Sequence, residues 1–208
     1  MRRRRWILLA LVLVAAAVFV GRQLWGTGGA VDPSEWYTRT VYPLEHEATI
    51  RAAAKKNGVD PALVSAVIYV ESGFDAEARS SQGAVGLMQV LPETARQIAR
   101  ETGGTAFETA DLENPRVNVR YGTYYLRQAL DQFDGSTLAA VAAYNAGGGA
   151  VSKWVAAAES EGRSLRTTDI PYAETRAYVK EVLRVRKVYR ETYGEQFTAR
   201  PSPSPSGS

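Results

Sequence analysis

Proline and glycine punctuate this chain at helix-length intervals. Asn57-Gly58 reads as a stop signal, and Asp60-Pro61 restarts the chain with a capping aspartate and a proline at the first helical position. Pro92 and Asn114-Pro115 open two further helices. From Pro171 to about Thr192, Tyr178, Val182, Val185, Val188 and Tyr189 recur at helical spacing. There is no convincing strand run, no hairpin signal and no internal repeat. The pattern predicts an all-α, helix-rich single domain, for which 208 residues provide an adequate core. A composition of 45% apolar and 23% charged residues excludes both wholesale disorder and a polytopic membrane protein.

Composition narrows the chemistry further. With no cysteine, the chain has no disulfide scaffold, thiolate metal site, cysteine nucleophile or acceptor for a bacterial lipid anchor. A single histidine, His46, makes zinc catalysis and a Ser-His pair poor expectations, and no metal or cofactor is expected. The net charge of +3 suggests nucleic-acid binding until its distribution is examined. Arg2, Arg3, Arg4, Arg5 and Arg22 lie in a segment without acids, and from Val31 onward the balance is −2. The folded part therefore lacks a basic nucleic-acid footprint.

Those arginines precede Trp6–Val20, fifteen residues without a charge. This is the pattern of an export signal or a membrane anchor. Trp6 and Trp25 bracket the stretch as interfacial aromatics, and at ~1.5 Å per residue the span between them approaches a bilayer core. Gly28-Gly29-Ala30 is a passable cleavage site, which leaves a cleaved signal as the alternative to an anchor. Either way, the chain beyond Trp25 is expected on the outer face of the membrane. Residues 1–30 are thus read as signal anchor and linker, 35–197 as the functional domain, and 198–208 as an extended, disordered Pro/Ser tail.

One carboxylate sits where carboxylates are uncommon. In the helix opened by Pro61, Val64, Val67 and Ile68 share a face, and Glu71 is the next position on that stripe. Partial burial penalises its charged form, and Gly73 places it at the negative end of the helix dipole. Both effects raise its pKa, as a general acid for glycosidic cleavage requires. On spacing alone, a frayed and solvated helix end is an equally good reading. Asp75 and Glu77, the nearest further acids, lie past Gly73 in what reads as a solvated turn.

Four motifs change that balance. They are Glu71-Ser72, Gly86-Leu87-Met88-Gln89, Ala143-Tyr144-Asn145-Ala146-Gly147, and Glu174-Thr175 followed by Tyr178-Val179. In this order the chain, from about Tyr42 to Tyr193, strongly resembles the lytic transglycosylases of the soluble-lytic-transglycosylase type, which have a lysozyme-like fold. The resemblance implies cleavage of the bond between N-acetylmuramic acid and N-acetylglucosamine in peptidoglycan glycan strands. Glu71 matches the family's catalytic acid, which then serves as base toward the muramic acid's C6 hydroxyl and closes a 1,6-anhydro ring. The substrate thus supplies the attacking group that a second carboxylate serves in most glycosidases.

By the same resemblance, Ser80 and Gln89 hold sugar near the acid and Met88 lines the cleft. Tyr144 and Asn145 face the cleft, with Asn145 contacting sugar, and Tyr178 points its hydroxyl toward Glu71. Read without it, Ser80 is a loop serine, Gln89 a surface amide, Met88 core filler, Tyr144-Asn145 a helix end before an αL glycine, and Tyr178 a core tyrosine. Gly83 and Gly86 suit a tight loop that lets substrate approach backbone. The implied setting is the cell envelope, with glycan strands and the membrane as partners and no nucleic acid. A hydrolytic muramidase of the goose-lysozyme kind and a non-catalytic wall-binding module are the competing readings.

Overall fold

The computed structural model describes residues 33–104 and 107–199. The chain divides into two compact units, Met1–Val41 and Tyr42–Ser208. In the first, the described part is a single helix, α1 (Pro33–Val41). The expected membrane segment, the linker and the tail from residue 200 lie outside the described residues. Among the described residues, no helix is long and apolar enough to cross a membrane. The second unit begins at Tyr42.

The second unit carries α2 (Glu47–Asn57), α3 (Pro61–Ser72), α4 (Pro92–Thr102), α5 (Pro115–Gln132), α6 (Thr137–Ala146), α7 (Gly148–Ser160) and α8 (Ala173–Thr198). Short 3₁₀ turns at Thr109–Glu113 and Thr167–Asp169 precede α5 and α8. Among the described residues no strand forms, only isolated bridges in the loop between α3 and α4.

The sequence punctuation does what its chemistry requires. Gly58 ends α2 and Gly73 ends α3, each in the left-handed region. The Asp60 carboxylate caps α3 by accepting from the Ala62 amide at 2.9 Å, and Arg186 of α8 donates to its other oxygen at 2.8 Å. One aspartate thereby starts α3 and ties it to α8.

Helix α3 is buried all round from Ala62 to Ile68, and its one polar member there, Ser65, donates to the Pro61 carbonyl at 2.9 Å. Each of Leu63, Val67 and Ile68, removed from water, contributes roughly 1.5–3 kcal/mol. It packs against α2 and, most extensively, against α8. The second fully buried run, Ala139–Ala143 of α6, consists of small residues and lies among α5, α7 and α8. Helix α8 extends beyond the expected Thr192 because its buried stripe continues to Tyr193. The hydroxyls of Tyr189 and Tyr193 donate to the Pro43 and Tyr42 carbonyls at 2.6 and 2.8 Å, fastening the unit's first residues to α8.

Two glycine expectations need correction. Gly86 does not open the loop to substrate. It is buried, and a Cβ there would lie 2.4 Å from Asn118 Nδ2 and 2.8 Å from the Leu112 carbonyl. The residue is small so that the loop can seat on α5. Nor does Gly147 adopt αL: at φ 82°, ψ 143° it occupies a region essentially restricted to glycine. This lets α6 stop at Ala146 and α7 start at Gly148, so the three glycines form a sharp corner beside Asn145.

Candidate active site

Glu71 is the penultimate residue of α3, half-buried above the fully buried Val64, Val67 and Ile68. Helix α8 crosses this end of α3, and the Tyr178 hydroxyl donates to Glu71 Oε1 at 2.6 Å. Burial raises the carboxyl's pKa from 4.5 to about 7, partly opposed by the tyrosine's hydrogen bond to the charged form. Among the described residues, no neighbouring carboxylate contributes to that shift. Burial and the nearby Glu71 charge push the Tyr178 phenol well above its ordinary value, so it remains a donor. With Oε1 occupied by that donor, the proton of the neutral acid belongs on Oε2.

Tyr144, at the end of α6, is the second tyrosine beside Glu71. Burial, then the Glu71 charge, then Tyr125 keep its hydroxyl protonated. That hydroxyl donates to the Met88 carbonyl at 2.8 Å, and its ring lies against Tyr125 with centroids 5.3 Å apart. The Met88 side chain, expected to line the cleft, is instead fully buried. It packs on Gly122, where a Cβ would come within 2.5 Å of its sulfur, and Thr123 Oγ1 lies 3.8 Å from that sulfur. Only the backbone of Met88 reaches the site.

The loop below the acid is held from within. Ser72 Oγ, next to Glu71, donates to the Leu87 carbonyl at 2.9 Å. Asn118 of α5 accepts from the Met88 amide at 2.8 Å and donates to the Val85 and Leu112 carbonyls at 2.7 and 2.9 Å. Gln89, with φ at 46°, uses its Nε2 to donate to the Ala78 and Gly86 carbonyls at 3.0 and 2.9 Å. No described residue donates a hydrogen bond to its Oε1, which is left to accept. Ser80 Oγ accepts from the Ala84 amide at 3.0 Å and, more weakly, from Gln82 at 3.3 Å, with its own hydrogen unclaimed among described residues. Gln89 is therefore a loop brace with one open oxygen, and Ser80 an exposed turn residue.

Asn145 is exposed at the α6–α7 corner, and its Oδ1 accepts from Thr175 Oγ1 at 2.7 Å. This orients the amide so that Nδ2 is the free end. Thr175 escaped the sequence reading, although it stands inside a quoted motif. The available signal was its position three residues before Tyr178, on the same face of α8. Ser72 and Tyr125 were likewise missed, and Asn118 carries no local signal. Asp75 and Glu77 are exposed, with Asp75 Oδ1 accepting from the Glu77 amide at 2.8 Å in a self-contained turn. Among the described residues, no group of three or more acidic or histidine side chains is arranged to hold a metal. The arrangement offers one carboxyl whose pKa is raised to about 7, two phenols, and amide and hydroxyl groups around an open corner.

Comparison with known proteins gives a consistent pattern. The family model for the transglycosylase SLT domain matches residues 48–166. The soluble lytic murein transglycosylase of Escherichia coli is 31% identical over 161 residues, covering 76% of this chain and 25% of that protein. The membrane-bound lytic murein transglycosylase C of Actinobacillus pleuropneumoniae is 34% identical over 161 residues, 67% of this chain and 44% of that one. Among solved structures, an inactive glutamate-to-glutamine mutant of the lytic transglycosylase Slt from Pseudomonas aeruginosa is 38% identical with a TM-score of 0.68. It covers 74% of this chain and 25% of that one. The 70 kDa soluble lytic transglycosylase of Escherichia coli superposes with a TM-score of 0.70 at 30% identity, over 77% of this chain and 26% of that one. The chain thus spans about a quarter of the length of the soluble relatives it matches.

Proposed function

The chain belongs to the transglycosylase SLT domain family, and from that membership and the environment of Glu71 we propose that it is a peptidoglycan lytic transglycosylase. The observation carrying this reading is a single carboxyl with its pKa raised to about 7, bonded by Tyr178 and without a second carboxylate acting on it. Neutral Glu71 donates from Oε2 to the oxygen joining N-acetylmuramic acid to N-acetylglucosamine, and the C1–O bond breaks. The resulting carboxylate then takes the proton of the muramic acid's C6 hydroxyl as that oxygen bonds to C1. One proton leaves and one returns, no water is consumed, and the product carries a 1,6-anhydro ring.

Tyr178 supports both halves of the cycle. Its hydrogen bond steadies the carboxylate formed by the first step and fixes which oxygen carries the proton in the resting state. Gln89 Oε1, Asn145 Nδ2 and the Ser80 hydroxyl are the groups we assign to hold sugar. Tyr144 shapes the wall through its bond to Met88. No metal or cofactor enters the cycle.

We assign the enzyme to the cell envelope, outside the membrane, with residues 1–30 as its anchor. The support is the arginine-led apolar segment and the similarity to a membrane-bound relative. Fractionation of cells and sizing of the mature N-terminus test this assignment: an intact, membrane-associated chain is expected, whereas a shortened soluble one means a cleaved signal.

The activity is tested by incubating purified peptidoglycan with the parent and with Glu71→Gln. The parent is expected to release muropeptides with anhydro ends and the variant none. Reducing ends from the parent would mean a hydrolytic muramidase, and no cleavage by the parent would mean a binding module.

A further inference from the structure

One aromatic pair has no place in the chemistry above. Tyr172 caps the start of α8 with 56% of its surface exposed, the indole of Trp154 meets its ring edge-on at 81°, and the centroids lie 5.4 Å apart. Trp154 is half-buried on the inward stripe of α7, between Val151 and Ala158, so the fold fixes its position. Tyr172 is more than half exposed, so its ring adds little to the core, and it packs on Trp154.

The pair lies at the start of the helix that serves the site, with Tyr172 three residues before Thr175. From the N-cap of α8 inward, Tyr172, Thr175 and Tyr178 follow one another at three-residue steps. Tyr178 bonds Glu71 and Thr175 bonds Asn145. At ~1.5 Å rise per residue, Tyr172 lies about 9 Å along the helix from Tyr178. No described residue accepts the Trp154 Nε1–H, which therefore remains a donor.

We propose that Trp154 and Tyr172 form an aromatic platform that binds a distal sugar of the glycan strand, beyond the bond cleaved at Glu71. This rests on the glycan-cleaving reading above. A pyranose ring presents axial C–H groups on one face and hydroxyls around its rim. An open phenol ring suits the face, and an indole N–H suits the rim. Packing against Trp154 restricts the ring of Tyr172, which reduces the ordering that binding has to supply. The platform makes affinity depend on strand length.

The test titrates the full chain carrying Glu71→Gln with N-acetylglucosamine–N-acetylmuramic acid oligosaccharides, a disaccharide and a hexasaccharide, by calorimetry. Adding Tyr172→Ala is expected to weaken the hexasaccharide about five- to tenfold and leave the disaccharide unchanged. Tyr172→Phe should retain the affinity, because the ring rather than the hydroxyl carries it. In the active chain, Tyr172→Ala should raise KM on long strands by the same factor while kcat holds and the melting temperature stays at the parent value. Equal loss on both lengths, no loss, or failure of the phenylalanine variant overturns the platform alone. A parent chain that neither binds nor cleaves any glycan overturns the function as well.

Discussion

Replacing Glu71 with glutamine should make the protein more stable, and only at high pH. The folded chain holds the Glu71 proton more tightly than the unfolded chain, with a pKa of about 7 against an ordinary 4.5. Below about pH 4.5 the acid is neutral in both states and its ionisation contributes nothing. As pH rises to 7 and above, the folded state has to accommodate a desolvated charge that the unfolded state places in water. The shift corresponds to a penalty of about 3 kcal/mol once pH exceeds the folded value. Glutamine is isosteric, never ionises, and its carbonyl oxygen can still accept from Tyr178. Glu71→Gln should therefore match the parent near pH 4 and melt about 6–12 °C above it at about pH 8.5, given 2–4 °C per kcal/mol at this size. Thermal denaturation of both proteins across that range is the assay. A difference in melting temperature that is constant with pH, or that shrinks as pH rises, would refute the desolvation argument.

Three further outcomes follow from named contacts. Tyr178→Phe removes the bond that favours the charged carboxylate, so the alkaline limb of the pH–kcat/KM profile should move upward from about 7. An unchanged or lowered limb would mean that the tyrosine does not act on Glu71. Thr175→Val keeps the shape but frees the Asn145 amide, and KM should rise about fivefold with kcat nearly unchanged. A fall in kcat at constant KM would contradict the positioning role. Gly86→Ala places a Cβ 2.4 Å from Asn118 Nδ2 at a φ of 76°, so urea denaturation should show a loss of roughly 2–4 kcal/mol. A variant as stable as the parent would mean that the loop does not need that close approach.

Much of this structure is legible from local chemistry. Helix ends at Gly58, Asp60-Pro61, Gly73 and Asn114-Pro115 are set by backbone conformations and caps that the residues themselves favour. The raised pKa of Glu71 follows from its position on an apolar stripe, which fixes burial before any partner is known. What the sequence hides is what distant segments impose. Gly86 and Met88 look like a substrate loop, yet they face inward because Asn118 and Gly122, about 30 residues away, supply the partners and the space. Gly147 reads as an αL helix cap, yet it forms a corner that turns α6 into α7 without a loop. Thr175 reads as a helix residue until Asn145 arrives beside it. The length of α8 is likewise set by tyrosines that reach back to Tyr42 and Pro43.

The central claim is that one carboxyl suffices because the substrate supplies the attacking hydroxyl. Digestion of purified peptidoglycan in heavy-oxygen water, followed by mass spectrometry of the released muropeptides, tests it directly. The account predicts anhydro-ended products, each lighter by one water than a reducing-end species and free of the label. Muramic acid reducing ends that carry heavy oxygen would show that water attacks, and would contradict it.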